Sequence, residues 1–366
     1  MAVISSTSSS PVIPTLILLL SLPVLFFFLA PRILPPRRIP ISLPDELDDL
    51  SLFHKAIAMD TANFTRRSSS THTHLPSAKF HTSVTLRRPK IAFLFLTNSP
   101  LHFAPLWNRF FSNVTPNHYN IYIHADPSAK IGPLTGVFAG RIIPSKRTQR
   151  SSPTLISAAR RLIATAMLDD PSNTYFALIS QNCIPLHSFN YFYTSLFDLV
   201  RLSKGLELPS YIEILDSEPT LWDRYNARGK NVMLPEVRFD DFRVGSQFFV
   251  VTRKHALMVI KDRKLWRKFK LPCLDVDTCY PEEHYFPTLL SMQDPNGCTG
   301  YTLTRVNWTD SMSGHPRTYH PAEVSPDLIY ELRESNSSYS YMFARKFSPG
   351  CLNPLMEIAD TVILKD

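Results

Sequence analysis

Two carboxylates, Glu282 and Glu283, follow Pro281 where an apolar run (Tyr285, Phe286, Leu289, Leu290) takes on helical spacing. Proline suits the first turn of a helix, and the helix dipole there favours an ionised carboxylate by roughly 0.3–1 kcal/mol. A carboxylate kept ionised is a base, so the chemistry this spacing offers is proton abstraction. The same spacing also describes two glutamates that only decorate a helix start. Neighbours on a helix point about 100° apart, so the pair cannot flank one glycosidic bond as the two carboxylates of a glycosidase do.

Other reactive types are sparse. The five cysteines, Cys183, Cys273, Cys279, Cys298 and Cys351, show neither a CxxC pair nor the histidine spacing of a zinc site. In an oxidising compartment Cys273 with Cys279 would close a short loop before the glutamates, and Cys298 with Cys351 would tie late segments together; the spacing leaves the connectivity open. An Asp-x-Asp occurs at Asp275-Val276-Asp277, late in the chain and beside that loop, and reads as structural. There is no Gly-x-Gly-x-x-Gly or Walker loop, and only ten glycines are present, so Rossmann oxidoreductases and P-loop ATPases fit poorly.

The elements that must position these residues alternate. Short apolar runs at residues 91–97, 119–124 and 175–180 predict strands, with further strands at 210–215 and 247–252. Helices are predicted at 105–111, 153–168, 189–200 and 254–261; in the second, Ser152 caps and Pro153 occupies the first helical position. Alternation of this kind predicts an α/β fold with a mainly parallel sheet flanked by helices. Ligands in such sheets bind beyond the strand C-termini, which gathers Asp126, Gln181 to Cys183 and Glu213 around one crevice.

Before Arg32 no charged side chain appears, and residues 12–30 are almost wholly apolar, long enough to span a bilayer. Arg32, Arg37 and Arg38 follow it, which by the positive-inside rule would put the body in the cytoplasm. The acceptor patterns at Asn63, Asn113, Asn307 and Asn336 argue for the lumen instead. The expectation is a tail at 1–11, an uncleaved signal anchor at 12–30, a Pro/Ser/Thr-rich stem at 31–88 and one lumenal domain at 89–366. A cleaved signal peptide is the other option, though the basic n-region is missing. A net charge of +8 without any nucleic-acid motif points away from nucleic acid and toward an anionic substrate or polysaccharide.

The ordered segments IAFLFLT (91–97), APLW (104–107), IYIHADP (121–127), NCIPL (182–186), VGSQFFVVTR (244–253), CYPEEHY (279–285) and FARKF (343–347) carry a resemblance. The chain resembles the plant branch of the core-2/I-branching β-1,6-N-acetylglucosaminyltransferase family over residues 91–359. The resemblance implies a variant GT-A fold on a single-pass type II Golgi anchor, and inverting transfer from a UDP-sugar to a glycan without a divalent metal. It assigns the catalytic base to Glu283, and the UDP diphosphate to Arg317 and Lys346, with Arg345 left on the surface. It assigns the nucleotide base to Asp126, and the acceptor sugar to Glu213, Arg224 and Trp308. Where most GT-A enzymes carry a metal-binding Asp-x-Asp, this chain has Gln181-Asn182-Cys183, so fixed cations must meet the departing diphosphate. A glycan on Asn307 would crowd Trp308, so the glycosylation candidates are Asn63, Asn113 and Asn336. The donor implied is a UDP-sugar, with N-acetylglucosamine one candidate that plant members need not share; glucuronic acid, xylose or galactose donors, or a non-catalytic glycan-binding scaffold, are the alternatives.

Overall fold

The computed structural model describes Ser21 and residues 43–69, 88–202, 207–309 and 315–366. Apart from Ser21, residues 1–42, and with them the expected anchor at 12–30, lie outside the described residues. Among those described, no helix is long and apolar enough to cross a membrane.

In chain order the longer elements are α1 (Leu43–Ser69), β1 (Lys90–Thr97), α2 (Ala104–Phe111), β2 (Tyr119–Ala125), α3 (Pro153–Asp169), β3 (Asn173–Ser180), β4 (Ile184–Pro185), α4 (Phe189–Leu202) and β5 (Ser210–Glu213). There follow α5 (Leu221–Asn226), β6 (Val250–Thr252), α6 (Arg253–Lys261), α7 (Pro281–Gln293), β7 (Cys298–Gly300), β8 (Thr304–Val306), α8 (Pro326–Arg333) and β9 (Phe343–Arg345). The main sheet runs β2-β1-β3-β6-β5-β7. Its β1, β2 and β3 are parallel, β6 runs antiparallel to both neighbours, and β5 with β7 is parallel again. The expected largely parallel sheet is therefore present, with β6 reversed at its centre. A second sheet, β4-β9-β8, pairs β9 antiparallel with β4 and parallel with β8.

The central strands read as continuous apolar runs because both faces are covered. Side chains alternate across β1: Ala92, Leu94 and Leu96 join the core on one face, while Ile91, Phe93 and Phe95 join the other. Helices α1, α3, α6 and α7 pack on the first face, and α2, α4 and α8 on the second. The N-cap of α3 is as the sequence predicts, Ser152 accepting from the Thr154 amide at 3.2 Å.

Helix α1 lies within the stretch expected to be a stem with little burial, and it belongs to the body. Phe53 and Ala56 are 3% and 0% exposed. Asp49 pairs with Arg161 at 2.7 Å, Asp60 with Arg253 at 2.7 Å, and Glu46 with Lys270 at 2.8 Å. The inward-facing stripe 49, 53, 56, 60, buried at its first three members and half-buried at the last, has helical period, but two of its four members are aspartates, so composition hides it.

Cys273 and Cys279 form a disulfide. Cys298 and Cys351 are free thiols, against the expected pairing, because they pack into cores on opposite faces of the sheet.

Candidate active site

The C-terminal ends of β1 and β3 deliver Thr97, Asn98, Ser180, Gln181 and Asn182 to a cavity of about 270 Å³, as an α/β sheet should. A second cavity of about 380 Å³ opens between β5, α5 and β8, lined by Glu213, Glu218, Arg224, Ser246, Thr302 and Tyr341 among others. Four residues line both: Gln247, Glu283, Trp308 and Arg345. The two cavities thus share a wall, and Glu283 is the acid in it.

That position is built from the local chain. The disulfide ends at Cys279, Tyr280 follows in the left-handed region at φ 34°, and Pro281 starts α7. A non-glycine residue held there costs on the order of 1–3 kcal/mol, and persists when its surroundings fix it, as the disulfide and the proline ring do on either side. The Glu283 amide donates to the Tyr280 carbonyl at 3.0 Å, and the Glu283 carbonyl accepts from the Gly245 amide at 2.9 Å. Glycine is required at 245: a Cβ there would lie 2.0 Å from the Glu213 carbonyl oxygen. The base and the Glu213 strand are thereby locked together.

Arg224 donates to Glu283 Oε2 at 3.0 Å. Burial pushes the Glu283 carboxyl above its ordinary value, and the Arg224 charge and hydrogen bond oppose that shift. Glu213 is raised too, by burial first, while the Ser246 amide, donating to its Oε2 at 2.9 Å, works the other way. Trp308 is 52% exposed, so it is no core residue and presents a ring to both cavities. All three residues expected at the acceptor lie together around the second cavity.

The cations differ from the expectation. Lys346 lines the first cavity, as expected. Arg317 does not: it is exposed, ion-paired with Glu323 and set over the Tyr319 ring. Arg345, expected on the surface, is half-buried, lies 4.5 Å from the Phe248 ring centre and has an unpartnered Nε. Arg150, which sequence reasoning missed, completes the set, with one Nη 2.6 Å from His315 Nε2. Burial lowers the Lys346 pKa, and Arg345 and Arg150 lower it further; burial and the same three cations hold His315 down as well. So dense a set of like charges suits an anion.

Asp126, expected at the nucleotide base, is buried under the loop after β2 and lines neither cavity. Its Oδ1 accepts from the Ser128 amide and hydroxyl at 2.8 and 2.6 Å, and its Oδ2 from those of Thr148 at 2.6 and 2.8 Å. Burial pushes this carboxyl up, but those four bonds outweigh it and hold the pKa at about 2. Asp275 and Asp277 are exposed and lie outside both cavities, Asp275 accepting from the Asp277 amide at 3.2 Å. Asn113 and Asn336 are exposed; the Asn63 side chain lies outside the described part of the structure. Asn307 is half-buried, its Nδ2 donating to the Tyr319 hydroxyl at 3.3 Å and its Oδ1 accepting from the Thr309 amide at 2.8 Å.

A largely parallel sheet flanked by helices, with a cation-lined cavity at its strand ends and a carboxylate shared with a second cavity, is the layout of a GT-A-like glycosyltransferase. The family model described as Core-2/I-Branching enzyme matches residues 91–333, and the chain belongs to that family. It is also similar to Glycosyltransferase BC10 of Oryza sativa subsp. japonica, with 27% identity over 320 residues, 74% of this chain and 76% of that protein. The chain is a glycosyltransferase.

Proposed function

We propose that this glycosyltransferase moves a sugar, N-acetylglucosamine by family resemblance, from its UDP donor to a hydroxyl of a polysaccharide or glycoprotein glycan. It does so with inversion and without a divalent metal, as a type II Golgi membrane protein with a lumenal body. The observation that carries the reading is Glu283 in the wall between the cation-lined cavity and the acceptor cavity. The diphosphate lies against Arg150, Arg345 and Lys346, and the acceptor hydroxyl comes from the side of Glu213, Arg224 and Trp308. Glu283 takes the hydroxyl proton as that oxygen attacks the anomeric carbon. The new C–O bond forms on the face opposite the diphosphate, and the old one breaks with its electron pair leaving on UDP, so one displacement inverts the centre. The developing charge on UDP is met by the fixed cations. The exposed acceptor asparagines at 113 and 336 suit a lumenal body.

The test is UDP release by the purified full-length chain across a panel of UDP-sugars with neutral glycan acceptors, with and without EDTA, beside Glu283→Gln. One preferred donor, turnover indifferent to EDTA and a loss of about 10²–10⁴ in kcat for the variant are expected. Abolition by EDTA would sink the metal-free reading, and an active Glu283→Gln the assignment of the base.

A further inference from the structure

Glu282 is the member of the acidic pair that this mechanism leaves unused. It is 4% exposed and lines the donor cavity. Its Oε1 accepts from the Ser151 amide at 3.1 Å, whereas its Oε2 is buried without a hydrogen-bond partner. Leaving a buried carboxyl oxygen unsatisfied costs about 1–3 kcal/mol or more, a cost that a mere helix decoration would avoid by turning to solvent.

What Glu282 holds is the turn that presents Arg150. Ser151 sits between Arg150 and the α3 cap Ser152 with φ at 56°, in the left-handed region that a serine adopts only when held. Farther back the same loop is pinned by Thr148 to Asp126 and by the Gln149 amide to Thr154 Oγ1 at 2.9 Å. The Ser151 amide to Glu282 is the bond adjacent to Arg150 itself, and it joins the loop to the helix that carries the base. Arg150 then stands 5.3 Å from the Tyr280 ring centre, whose other neighbour, Arg224 at 5.1 Å, holds Glu283.

We propose that Glu282 is a positioning residue of the donor site: its carboxyl fixes the Ser151 turn and so sets Arg150 against the diphosphate of the nucleotide sugar. The inference rests on the nucleotide-sugar reading of that cavity. Burial, with Glu283 adding to it, pushes the Glu282 carboxyl up to about 7, so near neutral pH it cancels less of the Arg150 charge than an ordinary, fully ionised glutamate would. The two glutamates thereby divide the work. Glu283 acts at the acceptor proton, and Glu282 acts through Arg150 on donor affinity.

The experiment measures UDP binding by calorimetry, and donor and acceptor KM, on the full-length chain carrying Glu282→Ala, Glu282→Gln, Arg150→Ala or Glu282→Ala with Arg150→Ala. Glu282→Ala should weaken UDP binding about tenfold and raise donor KM alike, with acceptor KM within about twofold of wild type. Glu282→Gln, which keeps the accepting oxygen, should restore most of the affinity. Arg150→Ala should match Glu282→Ala, and the double variant should lose little more than either. If Glu282→Ala does not fold, Glu282→Gln against Arg150→Ala still decides. UDP affinity unchanged in Arg150→Ala, or lost in Glu282→Gln as fully as in Arg150→Ala, would overturn the proposal. So would additive losses in the double variant. A wild-type chain that binds no UDP would instead overturn the nucleotide-sugar reading beneath it.

Discussion

The guanidinium of Arg224 donates to Glu283 at 3.0 Å and, through Nε, to the Thr220 hydroxyl at 3.0 Å, so the base is held by an arginine that is itself held. Burial drives the Glu283 pKa up and Arg224 restrains it. A general base works in its ionised form, so activity should rise with pH through the Glu283 pKa, and the acid limb should lie above the ordinary glutamate range. Replacing Arg224 with methionine removes the restraint and should move that limb upward. A kcat/KM profile against pH checks this; an unmoved limb would show that Arg224 serves the acceptor alone.

Trp308 lines both cavities with half its surface exposed, the disposition of a platform for a sugar ring. Trp308→Ala should raise acceptor KM about 5- to 20-fold, from lost stacking and apolar contact, with a smaller effect on UDP affinity. Initial-rate kinetics with each substrate varied in turn separate the two. Equal losses for donor and acceptor would assign the ring to the shared wall only.

Much of this arrangement is legible in the chain. The apolar runs of β1, β2 and β3 and the Ser-Pro start of α3 are local signals, and Pro281 with two acids marks where the base stands. Lys346 comes with a motif. Arg150 does not, because a loop arginine has no periodicity, and both its partner His315 and Glu282, which holds the adjacent Ser151 amide, are far away in sequence. The burial of Arg345 is equally hidden, because no spacing tells which face of a three-residue strand a side chain takes. Arg317 and Asp126 match by position in the chain, yet each is satisfied locally, by Glu323 and by the Ser128 and Thr148 groups. Such satisfaction is a property of the folded loop.

Helix α1 should prove part of the folding unit. The Arg161 and Asp49 side chains are 7% and 12% exposed, and removing one partner of a buried pair costs about 3–5 kcal/mol. Asp49→Ala should therefore lower unfolding stability by about that much, and a fragment starting at residue 88, which also loses Phe53 from the core, should be insoluble where one starting at residue 42 is not. Urea denaturation of Asp49→Ala and the soluble yield of the two fragments test this. Equal yields would return α1 to the stem.

Glu282 should also make stability depend on pH. Burial is the main cause of its rise from 4.5 to about 7 in the folded chain, and its charged neighbours Glu283 and Arg150 act in opposite directions. A raised folded-state pKa means that the folded chain holds the proton more tightly than the unfolded one. The protonated carboxyl therefore contributes stability that is fully present below about pH 4.5 and is lost as pH climbs through about 7. The size is on the order of 3 kcal/mol, because each tenfold gain in proton affinity on folding is worth about 1.4 kcal/mol. Glutamine cannot titrate, so the stability of wild type relative to Glu282→Gln should fall by that amount between pH 4 and pH 8, read from urea unfolding at each pH. Parallel curves for the two proteins would mean that the carboxyl is solvated, and the buried tether to Ser151 would go with it.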